Sequence, residues 1–263
     1  MDVSGRTALI TGATGGLGQA IAERLAGAGA QLLLTGRRAD VLEPLAERLG
    51  GRALGVDLAA RDEVQRLVDE AGQVDVLVAN AALPGSGRLD GYSVEQIDRV
   101  LDVNLRAPIV LARLLGAGMV ERGRGHLVFV SSLSGKAATM GQSLYSATKF
   151  GLRGFATSLR ADLHGTGVGV STVFPCFIRD AGMFHDSGAT LPSYVGTRTP
   201  DDVAEAVLRA IERDLAEVDV APLGLRAGAT LGSLVPELSA RITRRLGGDQ
   251  IARAMESGQA AKR

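Results

Sequence analysis

The sequence predicts a doubly wound α/β domain with about seven parallel strands and helices on both faces. Short apolar runs rich in branched residues alternate with stretches that carry apolar residues at helical spacing. Strands that alternate with helices pair in parallel through right-handed crossovers, and 263 residues with 46% hydrophobic content suffice for one such domain. We expect residues 1–222 to form this domain, and residues 223–263 to be a helical extension of it with a polar tail.

Seven segments have the length and composition of buried strands. They are 6–11, 30–35, 52–57, 74–80, 125–132, 168–175 and 216–222. The longest helical stretches between them cover 93–123 and 143–165, and glycines stand near several helix ends. After residue 222 the pattern weakens into one or two expected helices.

Charge and cysteine content exclude several functional classes. Lys+Arg and Asp+Glu are equal at 29 each, so no basic field indicates a nucleic-acid partner. Cys176 is the only cysteine, which excludes an internal disulfide framework and a multi-cysteine metal site, and we expect no metal. The N-terminus has no signal-peptide pattern, and no uninterrupted apolar run reaches the roughly 18 residues of a membrane span. We therefore expect a cytoplasmic protein that binds a small molecule and has no membrane partner.

The first strand leads directly into the glycine-rich stretch TGATGGLGQAIAERLA, residues 11–26. Glycines between a strand and a helix let backbone amides and the helix N-terminus approach a phosphate, so the stretch predicts a dinucleotide site. Two glycine spacings fit. One uses Gly12, Gly16 and Gly18, and the other replaces Gly16 with Gly15.

A second motif, YSATKFG, places Tyr145 and Lys149 four residues apart in a helical stretch. Residues four apart share a helix face, and a nearby cation favours the ionised phenol, so we expect Lys149 to lower the pKa of Tyr145 towards a useful range. Serines in VFVSSLSG, residues 128–135, end the fifth predicted strand, where sites of such sheets gather.

The glycine turn followed by these motifs resembles the short-chain dehydrogenase/reductase family over roughly residues 5–222. The resemblance implies hydride transfer between a nicotinamide and a carbonyl or secondary alcohol carbon. Tyr145 would then be the general acid in reduction and the general base in oxidation, and Lys149 would also hold the nicotinamide ribose. Thirteen residues before Tyr145, Ser132 fits the position that polarises the substrate oxygen better than Ser131 or Ser134 does. Asn104, in VLDVNLRAP, matches a helix Asn that holds a water linking the Lys to solvent.

The resemblance also implies a set of cofactor contacts. Besides Tyr145 and Lys149, the matching residues are Gly12, Thr14, Gly16, Leu17, Gly18, Asp57, Leu58, Asn80, Pro175 and Ile178. In LLLTGRRAD, Gly36 stands where members that prefer NAD usually have Asp, and Arg37 and Arg38 follow, which favours NADP(H) and leaves NAD(H) open. The chain departs from the family pattern at Ala79, Ala82 and Cys176, the last of which replaces a glycine beside the nicotinamide.

Residues 177–199 predict a mobile substrate lid with apolar contacts, among them Phe177, Phe184 and Tyr194. We expect a fairly hydrophobic alcohol or ketone as substrate. In the family, helices corresponding to 93–123 and 143–165 pack between subunits, which implies a homodimer or homotetramer.

Two other functions stay open. The first is an extended-branch epimerase or dehydratase acting on a nucleotide sugar, against which the short C-terminal region argues. The second is a non-enzymatic dinucleotide sensor, which would have no use for Ser132, Tyr145 and Lys149 together.

Overall fold

Seven strands form one sheet in the computed structural model, which describes residues 1–192, 195–235, 237, 241 and 248–259. They are β1 (Thr7–Thr11), β2 (Gln31–Gly36), β3 (Arg52–Gly55), β4 (Val76–Ala79), β5 (Gly125–Val130), β6 (Val168–Pro175) and β7 (Glu217–Val220). Their order across the sheet is β3-β2-β1-β4-β5-β6-β7, and every pair is parallel. The predicted doubly wound sheet is confirmed.

Helices connect the strands and cover both faces of the sheet. They are α1 (Gly16–Gly27), α2 (Ala39–Arg48), α3 (Arg61–Ala71), α4 (Val94–Leu101), α5 (Ala107–Glu121), α6 (Ser143–Asp162), α7 (Gly182–His185), α8 (Pro200–Arg213), α9 (Leu223–Leu234) and α10 (Gly248–Gln259). A π-helical turn, Asp102–Arg106, joins α4 to α5.

Alternating side chains of each strand divide the core into two layers, as the pleat of a strand requires. Ile10 of β1 packs in the layer formed with α1, α2 and α8, whereas its neighbour Leu9 packs in the layer formed with α3, α5 and α6. Both residues have no exposed surface. The runs of apolar residues in the strand sequences reflect this burial on both faces.

The strand order reverses between β1 and β4, and this reversal determines where a ligand can bind. From β1 the chain proceeds through β2 and β3 to one edge of the sheet, then crosses back to β4 on the other side of β1. Crossover helices on opposite faces leave a crevice outside the carboxyl ends of these two strands. The glycine-rich stretch and the end of β4 both open into that crevice.

The helical stretch Val94–Glu121 is long and apolar enough to cross a membrane by length and composition alone. Half of its apolar window is buried inside the fold, and its α5 portion packs against α3 and the sheet. Core helices share this composition. No other helix among the described residues meets the same criteria.

The segment after β6 contains more regular structure than the sequence predicts. It includes the short helix α7 and a parallel bridge between Ile178 and Arg198. The lid residue Tyr194 lies outside the described residues, as do residues 260–263 of the predicted polar tail.

Candidate active site

The turn between β1 and α1 requires glycine at three of its four glycine positions. Gly12 has a φ of +68°, and a Cβ there would lie 2.8 Å from the Cα of Ala81. A Cβ at Gly18 would overlap the carbonyl oxygen of Gly12, and one at Gly16 would overlap the Cβ of Ala181. At Gly15, by contrast, a Cβ would meet only the Gly12 oxygen, at an ordinary 3.5 Å. The packing therefore selects the spacing Gly12, Gly16 and Gly18.

The start of α1 suits a phosphate group. Its N-cap is Gly15, which offers no side chain to the first amides of the helix, so the amides and the helix dipole can serve an anion. Leu17 is half-buried and lies close to Gly182 at the start of α7. The residues present here fit the diphosphate of a dinucleotide.

Asn80 fixes the end of β4 against this turn. Its side-chain nitrogen donates to the carbonyl oxygens of Thr11 at 3.0 Å and of Gly12 at 3.3 Å. The Thr11 hydroxyl accepts from the amides of Asn80 and Ala81, both at 3.0 Å. Asn80 thus holds the two sides of the crevice together although Ala79 replaces the family's preceding Asn.

The end of β2 forms the adenosine side of the crevice. A Cβ at Gly36 would lie 2.7 Å from the Cγ2 of Thr14, so a larger residue would have to move the Thr14 side chain. Arg37 and Arg38 are exposed, and Arg38 donates to the carbonyl oxygen of Thr14. Two guanidinium groups therefore flank a position that lacks the carboxylate of NAD-preferring members.

Asp57, after β3, is held in place by two donors. The amide of Ala59 donates to Oδ1 at 3.1 Å, and Arg99 of α4 donates to Oδ2 at 2.9 Å. Burial works to raise the pKa of Asp57, but the Ala59 amide and the Arg99 guanidinium outweigh it and hold the pKa below its usual value. Leu58, expected beside the adenine, is 7% exposed and packs into the core, which leaves it little surface for a ligand.

Tyr145 and Lys149 lie on one face of α6, as their spacing predicts. The Lys149 Nζ is 5.5 Å from the centre of the Tyr145 ring and donates to the carbonyl oxygen of Val130 at 2.9 Å. Burial raises the pKa of Tyr145 to about 12, and a hydrogen bond with Ser132 lowers it in part. Burial also lowers the pKa of Lys149 to about 8.

The expected effect of Lys149 on the phenol is therefore not seen in this structure. We expected the cation to lower the pKa of Tyr145, but burial dominates and the pKa rises. The reason is geometric, because the ammonium group is directed to the end of β5.

Of the three competing serines, Ser132 is the one placed next to the phenol. Its hydroxyl is close enough to the phenol to lower the pKa of Tyr145 in part, and it accepts from the amide of Ser134 at 3.1 Å. Ser131 is buried and donates to the carbonyl oxygen of Lys149 at 3.1 Å, which is a structural role. A Cβ at Gly135 would lie 2.7 Å from the same oxygen, so this glycine allows the serine loop to pack on α6.

Asn104 lies in the π-helical turn and is fully buried. Its Oδ1 accepts from the amide of Leu83 at 2.7 Å, and its Nδ2 donates to the carbonyl oxygen of Leu83 at 2.9 Å. Nδ2 is also 3.5 Å from the Thr148 hydroxyl, which donates to the carbonyl oxygen of Tyr145 at 2.8 Å. Asn104 therefore joins the loop after β4 to the helix of Tyr145.

The end of β6 brings Pro175, Cys176 and Ile178 to the crevice. Pro175 ends the strand beside Val220, and Ile178 is 4% exposed. Cys176 is half-buried, and burial raises the pKa of its thiol to about 11, which makes a nucleophilic thiolate unfavourable. Asp180, near the position of the family's Thr, has a φ of +71° and an exposed side chain.

Two residues near the site were not identified from the sequence. Arg99 holds Asp57, and Gln142 is buried one turn before Tyr145 with its Nε2 3.0 Å from the Ser86 hydroxyl. Gln142 is the N-cap residue of α6, and its place three residues before Tyr145 at the start of that helix is a signal that could have indicated it. Nothing in the sequence connects Arg99 to Asp57.

Comparison with known proteins agrees with this geometry. The family model described as short chain dehydrogenase matches residues 6–191. A ketoacyl reductase, HetN, of Nostoc sp. is 35% identical over 227 residues, which cover 83% of this chain and 79% of that protein. The 3-oxoacyl-acyl-carrier-protein reductase FabG of Rickettsia conorii is 34% identical over 181 residues, 68% of this chain and 75% of that protein.

Solved structures give the same result. The short-chain dehydrogenase from Sphingobium yanoikuyae in complex with NADPH superposes with a TM-score of 0.77 at 29% identity, covering 89% of this chain and 95% of that chain. A serine dehydrogenase complexed with NADP⁺ superposes with a TM-score of 0.74 at 30% identity, covering 83% and 95%. The fold, the family model and these relatives together show that the chain belongs to the short-chain dehydrogenase/reductase family of oxidoreductases.

Proposed function

We propose that the protein is an NADP(H)-dependent reductase of ketones, or dehydrogenase of the matching secondary alcohols, with Ser132, Tyr145 and Lys149 as its catalytic residues. The observation that carries the proposal is the position of these three side chains. They meet at the carboxyl edge of the sheet, beside the strand reversal and the glycine turn.

Each of the three has a distinct chemical task. The phenol of Tyr145 is protonated at neutral pH and can donate its proton to the substrate oxygen during reduction, although its raised pKa makes it a weaker acid than a free phenol. The Ser132 hydroxyl, already bonded to Tyr145, is placed to donate to the same oxygen and stabilise its developing charge. The Lys149 ammonium adds a positive charge at the end of β5. A bound nicotinamide supplies or accepts the hydride.

The preference for NADP(H) rests on the end of β2. Arg37 and Arg38 can pair with a 2′-phosphate, and Arg side chains bind phosphate through charge-assisted hydrogen bonds. The Cβ of an Asp at position 36 would lie 2.7 Å from the Thr14 Cγ2, so the usual carboxylate for NAD would require the Thr14 side chain to move. The two solved relatives that hold NADPH or NADP⁺ support this preference.

We propose a ketone with a fairly hydrophobic body as the substrate. Phe177 and Phe184 pack edge to face, with ring centres 5.1 Å apart, in the segment that the sequence predicts to be a substrate lid. Relatives named ketoacyl or 3-oxoacyl reductases support a ketone, and a 3-oxoacyl compound is the first class to test.

The apolar surface exposed on α5 and α6, including Val120 and Phe150, supports assembly into a homodimer or homotetramer. We further propose a cytoplasmic location, and residues 1–222 as the catalytic domain with 223–263 as its extension.

The alternative functions have less support. The spacing Gly12, Gly16 and Gly18, which the packing requires, is that of the family's classical branch and not of the extended epimerases and dehydratases. A dinucleotide sensor would bind NADPH without using Tyr145 for catalysis. A sensor therefore differs from a reductase in that it binds NADPH but does not oxidise it in the presence of ketones.

The test combines binding with turnover. Purified protein is titrated with NADPH and NADH by nicotinamide fluorescence, and oxidation of NADPH is then followed with a panel of hydrophobic ketones and 3-oxoacyl esters. Tyr145→Phe and Ser132→Ala should each reduce kcat about 10²-fold or more, the usual contribution of a positioned proton donor, and Ser132→Ala should leave NADPH binding unchanged. Ser134→Ala is the matched control and should keep activity, because only its backbone amide contacts Ser132. Full activity in Tyr145→Phe would refute the mechanism, and NADPH binding with no turnover would favour the sensor.

A further inference from the structure

The C-terminal helix α10 contacts both walls of the crevice above the catalytic residues. One wall is the loop after β4, together with the start of α6. A Cβ at Gly85 would lie 2.9 Å from the Tyr145 amide, and Gln142 bonds Ser86, so this loop lies directly over the catalytic helix. The Sδ of Met255, on α10, is 4.0 Å from the Gln142 Nε2.

The other wall is α7 with the residues around it. Ala181, just before α7, packs on Gly16 of the glycine turn, so this wall lies over the expected diphosphate site. The Gln259 Nε2 of α10 donates to the carbonyl oxygen of Met183 at 3.1 Å. A Cβ at Gly258 would lie 2.7 Å from the Ser187 Cα and would overlap the Ser187 carbonyl oxygen.

The contacts of α10 with α7 are closely packed. Gln259 is 2% exposed although it stands near the end of the described chain. Gly258 allows two backbones to touch, which a side chain would prevent. On the opposite wall, the amide of Arg88 donates to Glu256 at 3.3 Å. These contacts from neighbouring residues hold one helix across the mouth of the crevice.

We propose that α10 forms the outer wall of the substrate pocket, held to α7 through Gly258 and Gln259, and that Met255 is a specificity-determining residue. This inference rests on the proposed function and names the substrate group it admits. A ketone bound at Tyr145 and Ser132 extends outward towards Met255, a flexible apolar side chain that adapts to varied shapes. The pocket therefore selects ketones whose far end is apolar and short enough to fit beneath α10.

Cys176 provides a reporter of this closure. It is the only cysteine of the chain, it is half-buried, and it adjoins Phe177, which packs on Phe184 of α7. Movement of α7 away from the crevice would separate Phe184 from Phe177 and should expose the neighbouring Cys176 thiol. The rate at which Ellman's reagent labels the native protein therefore measures how often the pocket opens.

The first arm compares Gly258→Ala with Gly228→Ala. Gly228 lies in α9, where a Cβ would have no atom within 4 Å, so this variant controls for the loss of a helical glycine. Gly258→Ala should accelerate labelling of Cys176 roughly tenfold, because overpacking by one methyl costs about 1–3 kcal/mol and each 1.4 kcal/mol shifts an equilibrium tenfold. Gln259→Ala, which removes a buried side chain and its bond to Met183, should change the rate in the same direction. Equal labelling rates in all four proteins, wild type included, would overturn the closure.

The second arm measures specificity with a series of methyl ketones of increasing chain length. Met255→Ala should raise kcat/KM for the longest ketone relative to the shortest by roughly tenfold, the discrimination that a change of a few methylenes supplies. NADPH binding should stay unchanged in Met255→Ala, because Met255 contacts Gln142 and not the wall that packs on the glycine turn. An unchanged chain-length profile in Met255→Ala would overturn the specificity role.

The two hypotheses fail in different ways. If the wild type reduces ketones through Tyr145 but neither the labelling rate nor the profile responds, the role of α10 is wrong and the proposed function stands. If the wild type reduces no ketone, the proposed function is wrong, and the labelling rates still decide whether α10 closes the crevice.

Discussion

The packing of Gly16 against Ala181 makes a specific prediction about the glycine turn. In Gly16→Ala the new Cβ would overlap the Cβ of Ala181, and the two must separate by roughly 1 Å to restore a normal contact of about 3.5 Å. Gly15→Ala is the matched control, since its Cβ meets only the Gly12 oxygen, at 3.5 Å. One added methyl on neighbouring residues thus distinguishes a required glycine from a permitted one.

The magnitude follows from what must move. Overpacking of this kind costs about 1–3 kcal/mol, and a displacement of about 1 Å near the reacting groups can reduce turnover 10²-fold. We expect Gly16→Ala to lower kcat/KM by roughly that factor, with weaker NADPH binding, whereas Gly15→Ala stays within about threefold of wild type because its contact is an ordinary one. NADPH oxidation with a reactive ketone measures the first quantity and nicotinamide fluorescence the second. If Gly15→Ala is the more damaging variant, the assignment of the turn is wrong.

Three further predictions concern other parts of the molecule. Arg37→Ala should weaken NADPH binding roughly tenfold, because a charge-assisted bond to the 2′-phosphate is lost, and it should leave NADH binding unchanged. A fluorescence titration in which NADPH and NADH binding weaken equally would contradict this prediction. Asn104→Ala should lower the free energy of unfolding in urea by about 2 kcal/mol or more, because it leaves the amide and carbonyl of Leu83 without buried partners, and an unchanged midpoint would contradict this. Burial lowers the pKa of His126 from 6.5 to about 4, so the unfolded state binds the proton first as the pH falls. The free energy of unfolding should therefore decrease between pH 6.5 and 4, by at most about 3 kcal/mol, in wild type and not in His126→Gln.

The fold could be predicted from the sequence because strand and helix periods differ clearly. All seven predicted strands are observed, and most of their ends shift by only one or two residues, as for β1, expected at 6–11 and observed at Thr7–Thr11. The helical stretch 93–123 is interrupted by a π turn, which its apolar spacing does not indicate. A one-residue insertion of this kind depends on a tertiary bond, that of Asn104 to Leu83, and no local pattern encodes it.

The candidate site could be predicted from spacing for Tyr145 and Lys149, which share a helix, and from the family resemblance for Ser132 and Asn104. For the glycine turn two spacings fitted the sequence, and the packing around Gly15 and Gly16 distinguishes them. Arg99 and α10 could not be found in this way, because each reaches the site from a distant part of the chain. The C-terminal segment reads as polar and weakly helical, and its helix contacts the site through single residues such as Met255.

The electrostatics of the catalytic pair show why a motif does not determine a protonation state. Tyr145 and Lys149 titrate ordinarily near 10.0 and 10.5, and burial moves them in opposite directions, to about 12 and about 8. Both shifts disfavour a charged group, as desolvation always does. Within this chain the hydrogen bond from Ser132 is the influence that lowers the pKa of the phenol. In the proposed mechanism Ser132 therefore has two roles, since it would stabilise charge on the substrate oxygen and it eases loss of the Tyr145 proton. Reduction needs the protonated phenol, which is the form present at neutral pH, but a pKa of about 12 also makes that phenol a weaker acid, so burial hinders transfer of its proton and the interaction with Ser132 offsets part of that hindrance.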